Sequence, residues 1–331
     1  MKVLAVTNMY PTPNDPTSGT FVEQQIKGLV RVGLNVQVLL VDRGQKGMFE
    51  YRRVRSMVRK ACKDFDPDIV HCMWGGVMAD IVTRAITDRP TVISICGSDL
   101  LGNLYNGIFR KVVSYVGIYA CIRAANRADG VVVKSMNLMK ALPKTVSPTK
   151  VRIIPNGVDL DRFNLLDRGQ CRKQLGWRND VFHVLFPTNR GADPRKRIGL
   201  ALAAIEVLNR AGLKTELHQL VDVSHQDVPV WLNACDVVIL TSYHEGSPNI
   251  IKEALACNVA IVSVDVGDVR ERIEQVEGCY IAMPTPEDIA LKLQLVYSGS
   301  RRVPGRVVMQ ELSIEAVAER LAKFYSDVLQ G

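Results

Sequence analysis

Two glutamates, Glu245 and Glu253, stand eight positions apart in the stretch YHEGSPNIIKEALACNVAIVSVDVG, residues 243–267. The first precedes a Gly-Ser-Pro-Asn turn, and the second falls inside the helix that should follow. Ser247 is a favourable N-cap and Pro248 a favourable first helical residue. A helix start leaves backbone N–H groups unpaired, and with those of the Gly246 turn they suit a phosphate. A carboxylate beside a bound phosphate is repelled, so each glutamate must address something else. From Pro248 to Glu253 a helix rises roughly 7–8 Å. Ionised carboxylates only accept hydrogen bonds, and sugar hydroxyls donate them. The pattern fits a diphosphate at the helix start, with Glu245 holding a transferred sugar and Glu253 a ribose. Taken alone, the same spacing equally describes a helix glutamate favoured by the dipole and an unrelated loop acid.

Other residues weigh on that choice. PTNRGADPRKR, residues 187–197, follows a strand-like run and brings Arg190 and Lys196 to the strand's carboxyl end. A diphosphate leaving group needs such cations to stabilise its growing charge. In TSGTFVEQQ, residues 17–25, Gly19 opens a helix and lets backbone approach a ligand. The segment after the first strand, NMYPTPNDPTSG, holds no G-x-G-x-x-G dinucleotide fingerprint.

These residues need a scaffold, and the chain supplies a repeating one. Short β-branched runs predict strands at 3–7, 36–41, 68–73, 91–95, 130–133 and 151–154. A second series follows at 181–186, 216–220, 237–241, 260–264 and 279–282. Helical periodicity marks 21–32, 48–65, 198–211, 248–256 and an amphipathic last segment, 313–329. Nearly all-apolar strands alternating with helices predict parallel sheets covered on both faces. The expected class is α/β, with two doubly wound Rossmann-like domains. Pro155-Asn156-Gly157 marks the break, giving domains 1–157 and 158–312 and a terminal helix, 313–331. Ligands gather at strand carboxyl ends in such sheets, and two facing domains would share a cleft.

Composition bounds the answer further. At 331 residues, 47% apolar and 23% charged, the chain reads as soluble and globular. The longest near-apolar run, 112–122, lies between Lys111 and Arg123 and is too short to cross a bilayer. The N-terminus reads as a buried strand without a cleavage site, which predicts a cytoplasmic protein. The eight cysteines form no CxxC pair, and the five histidines show no metal-ligand spacing. Charge is lopsided: residues 1–157 hold 22 Lys and Arg against 11 Asp and Glu, and the remainder 20 against 23. The excess peaks in YRRVRSMVRKACK, residues 51–63. That is a solvated helix face or a surface meeting anionic lipid or acceptor. Nucleic acid is not expected, since no interleaved aromatics accompany the charge.

At this point the motifs carry a resemblance. EGSPNIIKE resembles the E-x7-E signature of retaining glycosyltransferases of family 4, which have the two-domain GT-B fold. IIPNGVDLDRF resembles the segment joining that family's two domains, and Asn189-Arg190 to Lys196 its arginine–lysine phosphate clamp. ICGSDL stands where many members read HGxD, and VDVGDVRERI resembles the region after the E-x7-E helix. The landmarks span residues 3–275 in the family's order. Bacterial transferases building surface polysaccharides or teichuronic-acid-like polymers are the members it resembles.

The resemblance implies that Glu245 and the amides of Gly246, Ser247, Pro248 and Asn249 surround the donor's sugar and phosphate. Proline contributes no N–H there. It places Glu253 on the ribose, Asn189, Arg190 and Lys196 at the diphosphate, and Gly19 near the phosphates from the opposite domain, and it implies that the terminal helix, 313–331, crosses back onto the first domain. Catalytic roles are implied for Arg190, Lys196, Glu245 and Asp99, the last hydrogen-bonding a donor or acceptor hydroxyl; a turn or cap role for Asp99 stands beside it. Three departures are evident. Cys96 replaces the usual histidine, Arg197 the usual glycine after the clamp lysine, and VDVSHQDVPV shortens the region that holds the base.

The implied reaction moves a hexose from a UDP- or GDP-sugar to a glycan, lipid-linked or small-molecule acceptor. Configuration is retained by a front-face route, domain closure completes the site, and no cofactor or metal is required. DFD (64–66), DPD (66–68) and DLD (159–161) are read as turns and caps rather than metal sites. His71 is read as a satisfied strand-end histidine in preference to a cleft residue, and His244 is given no role. A nucleotide-sugar epimerase of the same fold and a non-catalytic basic membrane-associated module are the rival readings. Peripheral contact with anionic membrane, at the inner face, is expected through the basic first domain.

Overall fold

The computed structural model describes residues 1–15, 17–42, 47–102, 108–188 and 193–331. The chain forms two compact units, Met1–Gly157 with Ile314–Gly331, and Val158–Ser313.

The first unit holds a six-stranded sheet of β1 (Lys2–Thr7), β2 (Asn35–Leu40), β3 (Ile69–Cys72), β4 (Thr91–Ile95), β5 (Gly130–Val133) and β6 (Val151–Ile153). Their order is β2-β1-β3-β4-β5-β6, and every pair is parallel. The second unit holds β7 (Phe182–Pro187), β8 (Thr215–Leu220), β9 (Val237–Leu240), β10 (Ala260–Val264) and β11 (Tyr280–Ala282). Their order is β11-β10-β9-β7-β8, again wholly parallel. All eleven anticipated strands are present, and the expected α/β class of two parallel-sheet domains is borne out.

Burial follows position in the sheet. The inner strands β3, β4, β5, β7, β9 and β10 are buried at every residue, as strands covered on both faces must be. The edge strands β2 and β8 are mostly partly buried or exposed. One core cluster lies between the first sheet and the helices Tyr51–Phe65, Val77–Ala85 and Ile108–Arg127, with Val54, Val58, Met78, Val82, Cys121 and Ala124 at its centre. The helix Ile314–Gln330 packs against the helix Thr20–Arg31. Its Tyr325 hydroxyl reaches His71 Nδ1 at 2.6 Å, in the middle of the first sheet.

Each sheet reverses its winding direction once. In the second unit, β7 connects outward to β8, and the chain then returns to place β9 on β7's other side. The loops after β7 and β9 therefore leave in opposite directions, opening a crevice at their carboxyl ends.

Candidate active site

The crevice between β7 and β9 gathers the charged groups. A 3-10 turn, Pro194–Lys196, lies in the loop after β7, and Asp193 caps it by accepting from Arg195 N at 3.0 Å. Its far end is pinned to β9's exit, where the Thr241 hydroxyl donates to Lys196 O at 2.7 Å. From this turn Lys196 Nζ donates to Glu245 Oε1 at 2.7 Å, and Arg195 Nη1 to Glu245 Oε2 at 3.0 Å. Ser242 Oγ also donates to Glu245 Oε1 at 2.7 Å. Glu245 is only 7% exposed. Burial alone would raise its pKa, but the Lys196 and Arg195 charges outweigh it and hold the carboxyl below its ordinary value. The result is an ionised, nearly buried carboxylate flanked by two cations.

The turn after Glu245 leads into the helix Asn249–Ala256, one residue later than anticipated. Pro248 holds the cap position, and no side chain caps the helix. The expected Ser247 N-cap is overturned. Its hydroxyl instead donates to Asp268 Oδ2 at 2.9 Å and accepts from Lys252 Nζ at 3.0 Å. Bonds to ionised partners are the stronger ones, so the serine turns to them rather than to the helix amides. Gly267 makes the turn possible: a Cβ there would meet Gly246 O at 2.8 Å, and its φ of +61° suits glycine.

Further along the same helix, Glu253 is buried against residues that are distant in sequence. His225 Nε2 lies 3.3 Å from Glu253 Oε1, and Arg162 Nη1 lies 2.6 Å from His225 Nδ1. A guanidinium only donates, so Nδ1 accepts and the ring proton sits on Nε2, donating to Glu253. Phe163 meets the imidazole edge-on at 5.5 Å. Asp159 Oδ1 accepts from Asp161 N and Arg162 N, which fixes the turn that presents Arg162. No sequence signal marked Arg162 or His225, because their spacing to Glu253 is set only by folding. Arg195 was missed too, although its adjacency to Lys196 was visible.

Arg197 explains one departure from the family pattern. Its φ and ψ are both 52°, the left-handed region that favours glycine. The arginine's guanidinium compensates by donating to Thr241 O and to Ser242 O and lying 4.4 Å from the Tyr243 ring centre. Arg197, Ser242 and Tyr243 also line a cavity of about 700 Å³ with Asp265, Arg270 and Lys292. Lys196, Glu245 and Glu253 do not line it, so the hollow and the convergent charges are neighbours that share Ser242.

In the first unit, Gly19 has a φ of +63° and opens the helix Thr20–Arg31. A Cβ there would lie 2.4 Å from the Met9 carbonyl, so the chain's own backbone already demands glycine. Asp99 is buried, and its carboxylate accepts from Gly97 N at 2.7 Å, Cys96 N at 3.0 Å and Gly75 N at 3.1 Å. Those bonds tie the loops after β3 and β4 together. Cys96 N joins that tie, and burial pushes its thiol up to about 12. His71 is fully buried between the Tyr325 and Ser94 hydroxyls, the satisfied histidine anticipated. Asn189 and Arg190 lie outside the described residues.

Among the described residues, one group could hold a metal: His183, Glu216 and His218. Parallel pairing sets His183 beside Glu216, and period two puts His218 on the same face of β8. His183 Nδ1 and His218 Nε2 are already hydrogen-bonded at 2.8 Å, under a stacked Trp177. The histidine spacing that sequence could not see is thus created by strand register. Of the D-x-D candidates, Asp66 pairs with Arg89, Asp68 accepts from Lys2 N, and Asp159 makes the turn described above.

Comparison with known proteins agrees with this layout. Residues 18–162 match the family described as Glycosyltransferase Family 4, and residues 191–298 match Glycosyl transferases group 1. The chain is 25% identical to a Bacillus subtilis (strain 168) protein named for teichuronic acid biosynthesis, the glycosyltransferase TuaC, over 81% of this chain and 82% of that one. It is 27% identical to a D-inositol 3-phosphate glycosyltransferase of Geodermatophilus obscurus, over 48% of this chain and 44% of that one. Sucrose-phosphate synthase from Thermosynechococcus elongatus shares the fold with a TM-score of 0.79 at 16% identity, covering 100% of both chains. Anabaena Alr3699/HepE, solved with UDP-glucose, shares it at 0.74 and 18%, covering 99% of this chain and 100% of that one.

Proposed function

Because the chain belongs to the family 4 glycosyltransferases and has the GT-B fold, we propose that it is a retaining hexosyltransferase. It takes a hexose from a UDP- or GDP-sugar and gives it to a glycan, lipid-linked or small-molecule acceptor. One observation carries the reading: Lys196, Arg195 and Glu245 converge at the second unit's switch point, in the loop leading to a helix start without a side-chain cap. Anion and hydroxyl recognition are thus built side by side, as a sugar diphosphate requires.

In this reading the diphosphate lies at the helix start, with Lys196 and Arg190 neutralising the charge it gains on leaving. Glu245 accepts from hydroxyls of the transferred sugar, and Glu253, steadied by His225, accepts from the ribose. The C1–O bond to the diphosphate breaks, and the acceptor oxygen bonds to C1 on the same face. The acceptor's proton passes to the departing phosphate oxygen, so no protein nucleophile and no metal is called for. Asp99 serves as a positioning residue, holding the loops after β3 and β4. The UDP-glucose bound by the HepE structure supports a nucleotide-sugar donor, and the Bacillus relative, named for teichuronic acid biosynthesis, supports a glycan acceptor.

The test is calorimetry with UDP- and GDP-hexoses, followed by anomeric analysis of the product with and without acceptor. Binding of a donor and an acceptor-dependent product of unchanged configuration are expected. Failure of every nucleotide sugar to bind would overturn the reading, and conversion without acceptor would replace it with epimerisation.

A further inference from the structure

The run 112–122, too short to span a bilayer, lies on the helix Ile108–Arg127. Twenty residues make a helix about 30 Å long, whereas β4 and β5 beside it reach only about 13–17 Å. The helix ends two residues before β5 begins, so its C-terminal half lies along the sheet and its N-terminal half projects past the strands' carboxyl ends. Burial follows that division. Cys121, Ala124 and Ala125 are in the core, while Val112, Tyr115, Val116 and Tyr119 are 53%, 71%, 54% and 63% exposed. Their spacing is i, i+3, i+4, i+7, the stripe that a surface helix ordinarily turns inward. Here it faces out.

What surrounds the stripe decides its occupant. The helix Ile108–Arg127 contains no acidic residue, and Lys111 and Arg123 flank the stripe. It packs on Val77–Ala85, which packs on Tyr51–Phe65, so all three helices form one layer over the first sheet. Tyr51–Phe65 buries Val54, Val58, Ala61 and Cys62 and exposes Arg52, Arg53, Arg55, Arg59, Lys60 and Lys63. Just before it Phe49 is 71% exposed, with the Arg52 guanidinium 5.2 Å from its ring centre. An apolar stripe carrying two tyrosines, in one layer with a row of cations, matches the interfacial zone of an anionic bilayer.

We propose that this helical layer is a membrane-docking surface. Val112, Tyr115, Val116 and Tyr119 enter the headgroup–acyl boundary, and the cations of residues 52–63 meet anionic headgroups. Docking brings the carboxyl edge of the first sheet to the bilayer, where a lipid-linked acceptor would present its head. The proposal deepens the lipid-linked acceptor reading above, but its test requires no donor and no turnover.

The experiment is co-sedimentation of the full chain with vesicles of phosphatidylglycerol and phosphatidylcholine in equal parts, and of phosphatidylcholine alone. The chain should partition onto the anionic vesicles and be released by salt. The variant Val112→Ser/Tyr115→Ser/Val116→Ser/Tyr119→Ser and the variant Arg55→Glu/Arg59→Glu/Lys63→Glu should each weaken partition about ten-fold or more. Both should keep the wild-type Tm. Wild-type protein remaining in the supernatant would overturn the proposal, as would a serine variant that binds vesicles like the wild type. Light scattering covers one rival occupant: a wild-type dimer that the serine variant dissolves, without vesicle binding, would assign the stripe to a second copy and overturn the proposal.

Discussion

Lys196 Nζ donates to Glu245 Oε1 at 2.7 Å, so the ammonium and the carboxylate hold each other. Neither is free to collapse elsewhere, since Arg195 and Ser242 share the carboxylate and Thr241 fixes the lysine's backbone. In the proposed function, an arriving diphosphate would draw Lys196 toward itself and leave Glu245 to accept from sugar hydroxyls.

Replacing Lys196 with alanine should therefore lower kcat roughly 10²–10³-fold, the usual cost of losing one preorganised group at a developing charge. Glu245 keeps Arg195 and Ser242, so the fold should persist. Near-normal transfer by the variant, measured at saturating donor, would refute the clamp role.

In the proposed function, His225 would act through Glu253, 3.3 Å away, rather than on the donor. Its removal in His225→Ala leaves a buried carboxylate without its imidazole donor, and donor KM should rise about ten-fold. The kcat should stay within about two-fold, because no group at the reacting carbon changes. A fall in kcat with KM unchanged would contradict this positioning.

Arg197 balances backbone strain against its bonds to Thr241 O and Ser242 O. Arg197→Ala loses the bonds and keeps the strain, while Arg197→Gly loses the bonds and relieves it. Urea unfolding should find both less stable than the wild type, with glycine about 1 kcal/mol above alanine. Equal stabilities of the two variants would show that the left-handed conformation costs nothing here.

His71 predicts an acid-sensitive fold. Burial first, and the Lys134 charge second, lower its pKa to about 3. Unfolded, it titrates near 6.5, so between about 6.5 and 3 the unfolded chain binds a proton that the folded chain refuses. Its contribution is complete above pH 6.5 and declines as pH falls, by about 1.4 kcal/mol per unit. The slope of stability against pH between 5 and 6 should be shallower in His71→Gln by one proton. An unchanged slope would place the sensitivity elsewhere.

Sequence and structure divide this protein along a physical line. Patterns that are local in the chain were legible: the nearly all-apolar strands β4, β9 and β10, the helix Ile198–Arg210, and the two glutamates around the helix start. Each follows from backbone periodicity or from a residue type that has few alternatives. The sequence also singled out 112–122 as an unusual apolar run, without saying which way it faced.

Tertiary structure decided what depends on meetings between distant segments. Ser247 was a good cap by local rules, yet Asp268, 21 residues away, took its hydroxyl because an ionised acceptor binds more strongly than an amide competes. His225 and Arg162 became supports for Glu253, and His183 met His218, only because strand register and loop packing brought them within reach. A side chain's type is fixed by the sequence, but its partner is whichever group the fold leaves nearest. Hydrogen bonds and ion pairs act over a few ångströms of space, not over positions in the chain.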